Sequence, residues 1–312
     1  MGTVGFAVVC YVRIHFSYRP AANRSYATPR ARCLTLSPGS LFMAHTHLHF
    51  CMVACLTLGG TVSWVHTGSA AEKSAAQLLQ AAGEAAAQGN SSESVRLATA
   101  AIKLDDKISI AYYLRGREQF RLGKVKESVK DFDKHVKLSP DRASRQWERG
   151  IACYYAGQFK QGADQFKLYQ TFHDNDVENS VWRYLCVART EGVEKARSTI
   201  LPIKNDRRVP MMQVFHLFRG QLEPADVLKA VEQDSPQPAE LAYRMFYARL
   251  YLGLYYEVHG KPKLARQYIF DSVDKHKTTK GINRYMWDVA RIHKEQLQKN
   301  EAAQESKDAT SP

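Results

Sequence analysis

Arg117 and Arg121 stand four residues apart on one helical face, with Tyr113 and Phe120 beside them. The same offsets one repeat length further on hold Trp147, Ile151, Tyr154 and Tyr155. A guanidinium pairs bidentately with carboxylates, and broad rings contribute contact area with little loss of side-chain entropy. The chemistry implied is recognition of a carboxylate-bearing, partly apolar polypeptide rather than bond-breaking. Two alternatives stay beside it: the rings pack between helices, and two like charges at this spacing are solvated cations that repel weakly.

Other reactive types are sparse. Cys153 and Cys186 sit at helical packing positions, where a thiol acts as a small buried hydrophobe; a disulfide between them is the alternative. His216, Arg219, Glu223 and Asp226 are close in sequence, but spacing alone does not orient them into an acid–base set. His45, His47 and His49 alternate near the N-terminus, inside a segment read below as a leader. The sequence has no Gly-rich phosphate loop with Lys, no His-Glu-x-x-His, no Gly-x-Ser-x-Gly and no Cys-x-x-Cys. No catalytic residue, metal or cofactor is expected.

The elements that position the rings and arginines follow from a period. Shifting residues 109–142 by 34 places Gly116 on Gly150, Gly123 on Gly157 and Phe132 on Phe166. Shifting back places Gly123 on Gly89 and Leu138 on Leu104. A 34-residue unit with these small, turn and aromatic positions and Pro140 near its end is the tetratricopeptide (TPR) pattern. Each unit is two amphipathic helices that cannot bury their apolar faces alone, so the expected fold is an all-α solenoid. Repeats are expected at 75–108, 109–142, 143–176 and 246–279, with divergent helices over 177–233. A cap over 281–298 is expected to cover the exposed end of the stack, and 299–312 to be a disordered tail.

In such a stack five positions of each first helix face the hollow. They are Ile110, Tyr113, Arg117, Phe120 and Arg121 in the second repeat, and Ser144, Trp147, Ile151, Tyr154 and Tyr155 in the third. The C-terminal repeat contributes Tyr247, Leu250, Leu254, Glu257 and Val258. The first ten are the expected partner-binding residues.

Residues 1–71 contain five arginines and no Lys, Asp or Glu, the composition of a targeting leader. Met43 opens a second leader, so a start at Met43 with a signal peptide over 43–71 is the preferred reading of this stretch. Small residues at Ser69 and Ala71 suit cleavage before Glu72. Met52-Val53-Ala54-Cys55 has the form of a lipoprotein site, with Cys55 as the lipid-bearing residue, and both outcomes stay open. The remaining 241 residues hold 39 of the 44 basic side chains against 31 acids. A surplus of eight is too mild to imply nucleic acid.

The runs Arg149–Phe166, Val181–Ala188 and Tyr251–Val273, with a helix after them, resemble the NlpI-type TPR lipoproteins of bacterial envelopes over roughly 75–297. That resemblance implies a non-enzymatic, homodimeric periplasmic adaptor for peptidoglycan hydrolases and a processing protease. The membrane would be reached only through a lipid anchor or an uncleaved signal. The alternatives are a module binding anionic glycan, lipid or nucleic acid, and an enzyme whose site lies around 211–234.

Overall fold

The structure is a computed structural model and describes residues 73–310; the leader, Cys55 and the cleavage positions lie outside the described residues. Helices account for about three quarters of the described chain, and no strand occurs among the described residues. The first three pairs are α1 (Ala75–Ala87) with α2 (Ser91–Leu104), α3 (Ser109–Arg121) with α4 (Val125–Leu138), and α5 (Trp147–Tyr155) with α6 (Phe159–Tyr169). They stack in sequence as an all-α solenoid of TPR type.

The pair turns repeat at atomic level. At Gly123 (φ +74°) the glycine N–H donates to Phe120 O at 2.8 Å and the Lys124 N–H to Gln119 O at 2.9 Å. Gly157 (φ +76°) repeats the pattern onto Tyr154 O and Cys153 O. These bonds satisfy the last carbonyls of the preceding helix, and the left-handed backbone they require is costly for any residue with a Cβ. Entry is capped as well: Ser74 and Gln77 form a reciprocal capping box on α1, and Asn90 Oδ1 accepts from the Glu93 N–H on α2.

Packing explains the small positions. A Cβ on Gly150 would lie 2.6 Å from the Phe166 ring, which is fully buried between α5 and α6. Phe132 fills the same place between α3 and α4. After Pro140 a 3-10 turn (Pro140–Arg145) delays the third repeat's first helix to Trp147.

Beyond α6 the stack continues through less regular helices: α7 (Val177–Glu191), α8 (Val193–Ser198), α9 (Met211–Phe218) and α10 (Pro224–Val231). The linking loop is held by Arg208, which bridges Asp176, Glu178 and Asp206. Tyr251 donates its hydroxyl to Glu178 at 2.6 Å and so ties α7 to α11 (Pro238–Val258). Burial pushes the Glu178 carboxyl above its usual range, although Arg208 opposes this. α12 (Pro262–Asp274) completes the last repeat against α11, with Gly253 pressed on Ile269.

α13 (Arg284–Thr310) packs on α12, the second helix of the last repeat, and also crosses to α3. Where a disordered tail was expected from 299 on, the helix runs on to Thr310, through Ala, Glu, Gln and Lys of high helix propensity. Glu301 also pairs with Arg266 on α12 at 3.0 Å.

His276 fastens the turn before α13. Arg249 lies 2.7 Å from its Nε2 and must donate, so the ring is neutral there. Burial and the Arg249 charge pull its pKa down to about 4. The unfolded imidazole takes a proton near pH 6.5, before the folded one, so this group's stabilisation is present above that pH and lost as pH falls toward 4. His276→Gln is therefore expected to lose less melting temperature than the parent chain between pH 7 and pH 5. The packing account makes a second prediction: Gly150→Ala costs about 1–3 kcal/mol in chemical denaturation. Gly83→Ala, where a Cβ meets nothing within 4 Å, stabilises by about 0.5–1 kcal/mol.

Candidate functional site: the inner face of the repeats

The ten expected partner-binding residues all lie on α3, on α5 or on the 3-10 turn before α5, but they do not line one open hollow. The N-terminal turns of α13 occupy half of it. Tyr285 stacks on Phe120 with ring centroids 4.8 Å apart, and Trp147 meets Tyr285 edge-on at 5.3 Å. Arg121 Nε donates to Asp288 Oδ2 at 2.9 Å, while its Nη1 pairs with Glu118 on its own helix. Asp288 also meets Arg284 and Arg291, and Arg291 donates to the Arg121 carbonyl. Tyr155 bonds His293 Nδ1 at 3.1 Å.

The expectation of an open groove is thus corrected for Phe120, Arg121, Ile151, Tyr154 and Tyr155. The four apolar and aromatic ones are buried, and the Arg121 side chain is 12% exposed and committed to acids of the same chain. From the C-terminal repeat, Tyr247, Leu250 and Leu254 are core as well. The physical reason lies in α13 itself, whose residues 285–290 are buried on every face. A helix apolar all round needs neighbours all round.

The other five residues form a shoulder at the N-terminal ends of α3 and α5. Ile110 is 47% exposed, and Tyr113, Arg117, Ser144 and Trp147 are half-buried. Arg117 lies over the Tyr113 and Tyr285 rings, 5.6 Å from each centroid. Beneath it Glu148 accepts the Tyr113 hydroxyl at 2.8 Å, and Arg117 Nε stands 3.7 Å from the same carboxylate oxygen. Burial raises the Glu148 carboxyl, with Arg117 and Tyr113 opposing that rise. The Arg117 side chain keeps 35% of its surface exposed. The shoulder therefore presents a cation held between two rings, with an exposed aliphatic residue two helical turns away.

The remaining reactive residues are inert. Cys153 and Cys186 are buried free thiols; burial pushes Cys153 up to about 12 and raises Cys186 further. His216 bonds Gln221, while Glu223 and Asp226 cap the start of α10. No group of three or more His, Cys, Asp or Glu able to hold a metal occurs among the described residues. No described helix is long and apolar enough to cross a membrane.

Sequence reasoning missed Glu148, Asp288 and His293. A signal for Asp288 existed: it is an acid inside the otherwise apolar run Tyr285–Ala290. A buried carboxylate needs cations, and three arginines supply them.

No family model matches the sequence. Among solved structures the chain is similar to YrrB, described as a TPR protein with an unusual peptide-binding site (15% identity, TM-score 0.37, covering 69% of this chain and 90% of that one). It is also similar to a tetratricopeptide repeat protein from Parabacteroides merdae (11% identity, TM-score 0.44, 70% and 83%). A third is PilW, a type IV pilus biogenesis factor (12% identity, TM-score 0.39, 69% and 97%). Likeness at this level says nothing about partners or location.

Asp288→Ala removes the shared acid of three arginines and is expected to cost about 3 kcal/mol in denaturant unfolding. A loss below about 1 kcal/mol would show that α13 is seated by its rings alone.

Proposed function

We propose that the chain is a non-catalytic adaptor that holds a protein or peptide partner at the shoulder formed by Ile110, Tyr113, Arg117, Ser144 and Trp147. The observation that carries this reading is Arg117, a partly exposed guanidinium lying over two rings, two helical turns along α3 from an exposed isoleucine. A cation already held in place loses little entropy on binding a carboxylate, and the rings beside it add apolar contact. The complementary partner is a segment with a side-chain or C-terminal carboxylate next to an apolar residue.

The finer reading is a member of the NlpI-type adaptors, exported by the leader to the envelope and anchored there if Cys55 is lipidated. Peptidoglycan hydrolases or a processing protease are the proposed clients, and a homodimer the proposed assembly. This rests on the sequence resemblance and on the acid-free N-terminal 71 residues.

The test is affinity purification of the full chain with mass spectrometry, repeated with Ile110→Asp combined with Arg117→Gln. Ile110 is exposed, and glutamine keeps a donor toward Glu148, so the fold is expected to stay within about 1.5 kcal/mol of the parent. Specific partners are expected to fall at least tenfold in the variant. Retention of every partner at parental levels would remove the shoulder assignment. Acidic substitutions at Arg121 are unsuitable, because they would also break the contact with Asp288.

A further inference from the structure

The second helices of the first three repeats, α2, α4 and α6, carry a face that the shoulder does not use. On α4 Lys126, Lys130, Lys134 and Lys137 fall within an arc of about 80° and run about 16 Å along the helix. Lys134 is half-buried, with its ammonium over the Tyr112 ring, and the other three are exposed. No ion pair to any of the four occurs among the described residues. The α4 acids Asp131 and Asp133 are taken by Arg115 and Arg149, each at 2.7 Å.

Residues 34 apart hold equivalent places in successive repeats. Lys137 is therefore in register with Lys103 on α2, and Lys126 with Lys160 on α6, both exposed. Lys167 on α6 is exposed as well. Against these seven lysines the same helices set two acids with no ion pair among the described residues, Glu127 and Asp164; Glu93 is held by Arg96. The row of Lys134 continues on α6 as Leu168, 41% exposed, and Phe172 stands one turn beyond it at 48%. The exposed Arg145 guanidinium lies 4.6 Å from the Phe172 ring centroid.

The residue types select the occupant. Lysine is depleted from protein–protein interfaces, where arginine and aromatic anchors carry the affinity, and the arginines of α2, α3 and α5 nearest these lysines are committed to acids. Hydrated ammoniums on flexible stems suit a surface of many mobile negative charges. The apolar pair has no counterpart on a nucleic-acid backbone, but it suits the boundary between headgroups and acyl chains.

We propose that this outer face of α2, α4 and α6 lies on a bilayer surface containing anionic phospholipid, with the lysines among the headgroups and Leu168 and Phe172 at the acyl boundary. The contact needs no covalent anchor. It does not use the shoulder, whose residues lie on α3, α5 and the turn before α5.

The test is co-sedimentation of the full chain with vesicles of phosphatidylcholine containing one quarter phosphatidylglycerol, and with vesicles of phosphatidylcholine alone. Partitioning onto the first is expected to be at least tenfold stronger, and to fall at least tenfold between about 0.05 M and about 0.5 M salt as the screening length shrinks. Lys126→Glu, Lys130→Glu and Lys137→Glu combined are expected to lower it at least tenfold. Lys229→Glu, Lys263→Glu and Lys277→Glu combined, three exposed lysines elsewhere with the same change in net charge, are expected to stay within twofold of the parent. The two triples share one leader and one net charge, so their difference reads the face alone. Leu168→Ser with Phe172→Ser, both at exposed positions, is expected to cost severalfold. Equal binding to the two vesicles, equal losses in the two triples, or unchanged binding in the α4 triple would overturn the proposal. Capture of polyglutamate or of a DNA duplex through the α4 lysines, with none on the anionic vesicles, would overturn it in favour of an acidic polypeptide or a nucleic acid.

Discussion

The structure depends on the seat of α13 against α3 and α5. Phe120 stacked on Tyr285 and Arg121 paired with Asp288 make the inner surface of the repeats continuous with the C-terminal helix. A repeat stack buries area only between neighbours, and its inner wall is otherwise open to water. Here that wall carries Phe120, Ile151, Tyr154 and Tyr155, too much ring and aliphatic surface to leave exposed without a partner. The chain supplies the partner itself. What would be a row of independent units acquires contacts between residues more than 160 positions apart, as between Arg121 and Asp288.

The charged groups in this seat are arranged to survive burial. Asp288 is met by three arginines, and Arg121 by two acids and by the Ala86 carbonyl. Glu118 of the same cluster accepts from Ser91 at 2.6 Å, which carries the network back to α2. A second cluster does the same work in the irregular middle, where Arg208 holds Asp176, Glu178 and Asp206 together and Tyr251 closes it from α11. Each cluster stands where the regular ring-and-glycine packing gives way: between the early repeats and α13, and between α7 and α11.

The periodic part of the fold was legible because it rests on local rules. Gly123 and Gly157 announce turns, Gly150 announces a close approach, and Phe132 and Phe166 announce the plugs, all at fixed offsets. The seat of α13 was not, because it pairs residues far apart in sequence and periodicity carries no information about that. The stripe Tyr285, Met286, Val289, Ile292 reads as one amphipathic face suited to an end cap. Trp287 and Ala290 on the other side are what make the helix buried all round. Position within the repeat could not divide the inner-face residues covered by the chain from those left at the shoulder.

The covered half of the hollow is core and not a gate. Releasing α13 would return Tyr285, Met286, Trp287, Val289 and Ile292 to water, along with Phe120 and Tyr155 opposite them. At about 1.5–3 kcal/mol for each large side chain, this comes to about 10 kcal/mol or more before the ion pairs are counted. A domain's whole stability is about 5–15 kcal/mol. A partner that displaced the helix would spend an affinity comparable to a nanomolar complex on opening the site alone. The recognition proposed for this chain therefore belongs to a surface that exists with α13 in place. That surface is the shoulder under Arg117, whose guanidinium lies over Tyr285 of the seated helix. The seat of α13 thus holds one wall of the proposed site.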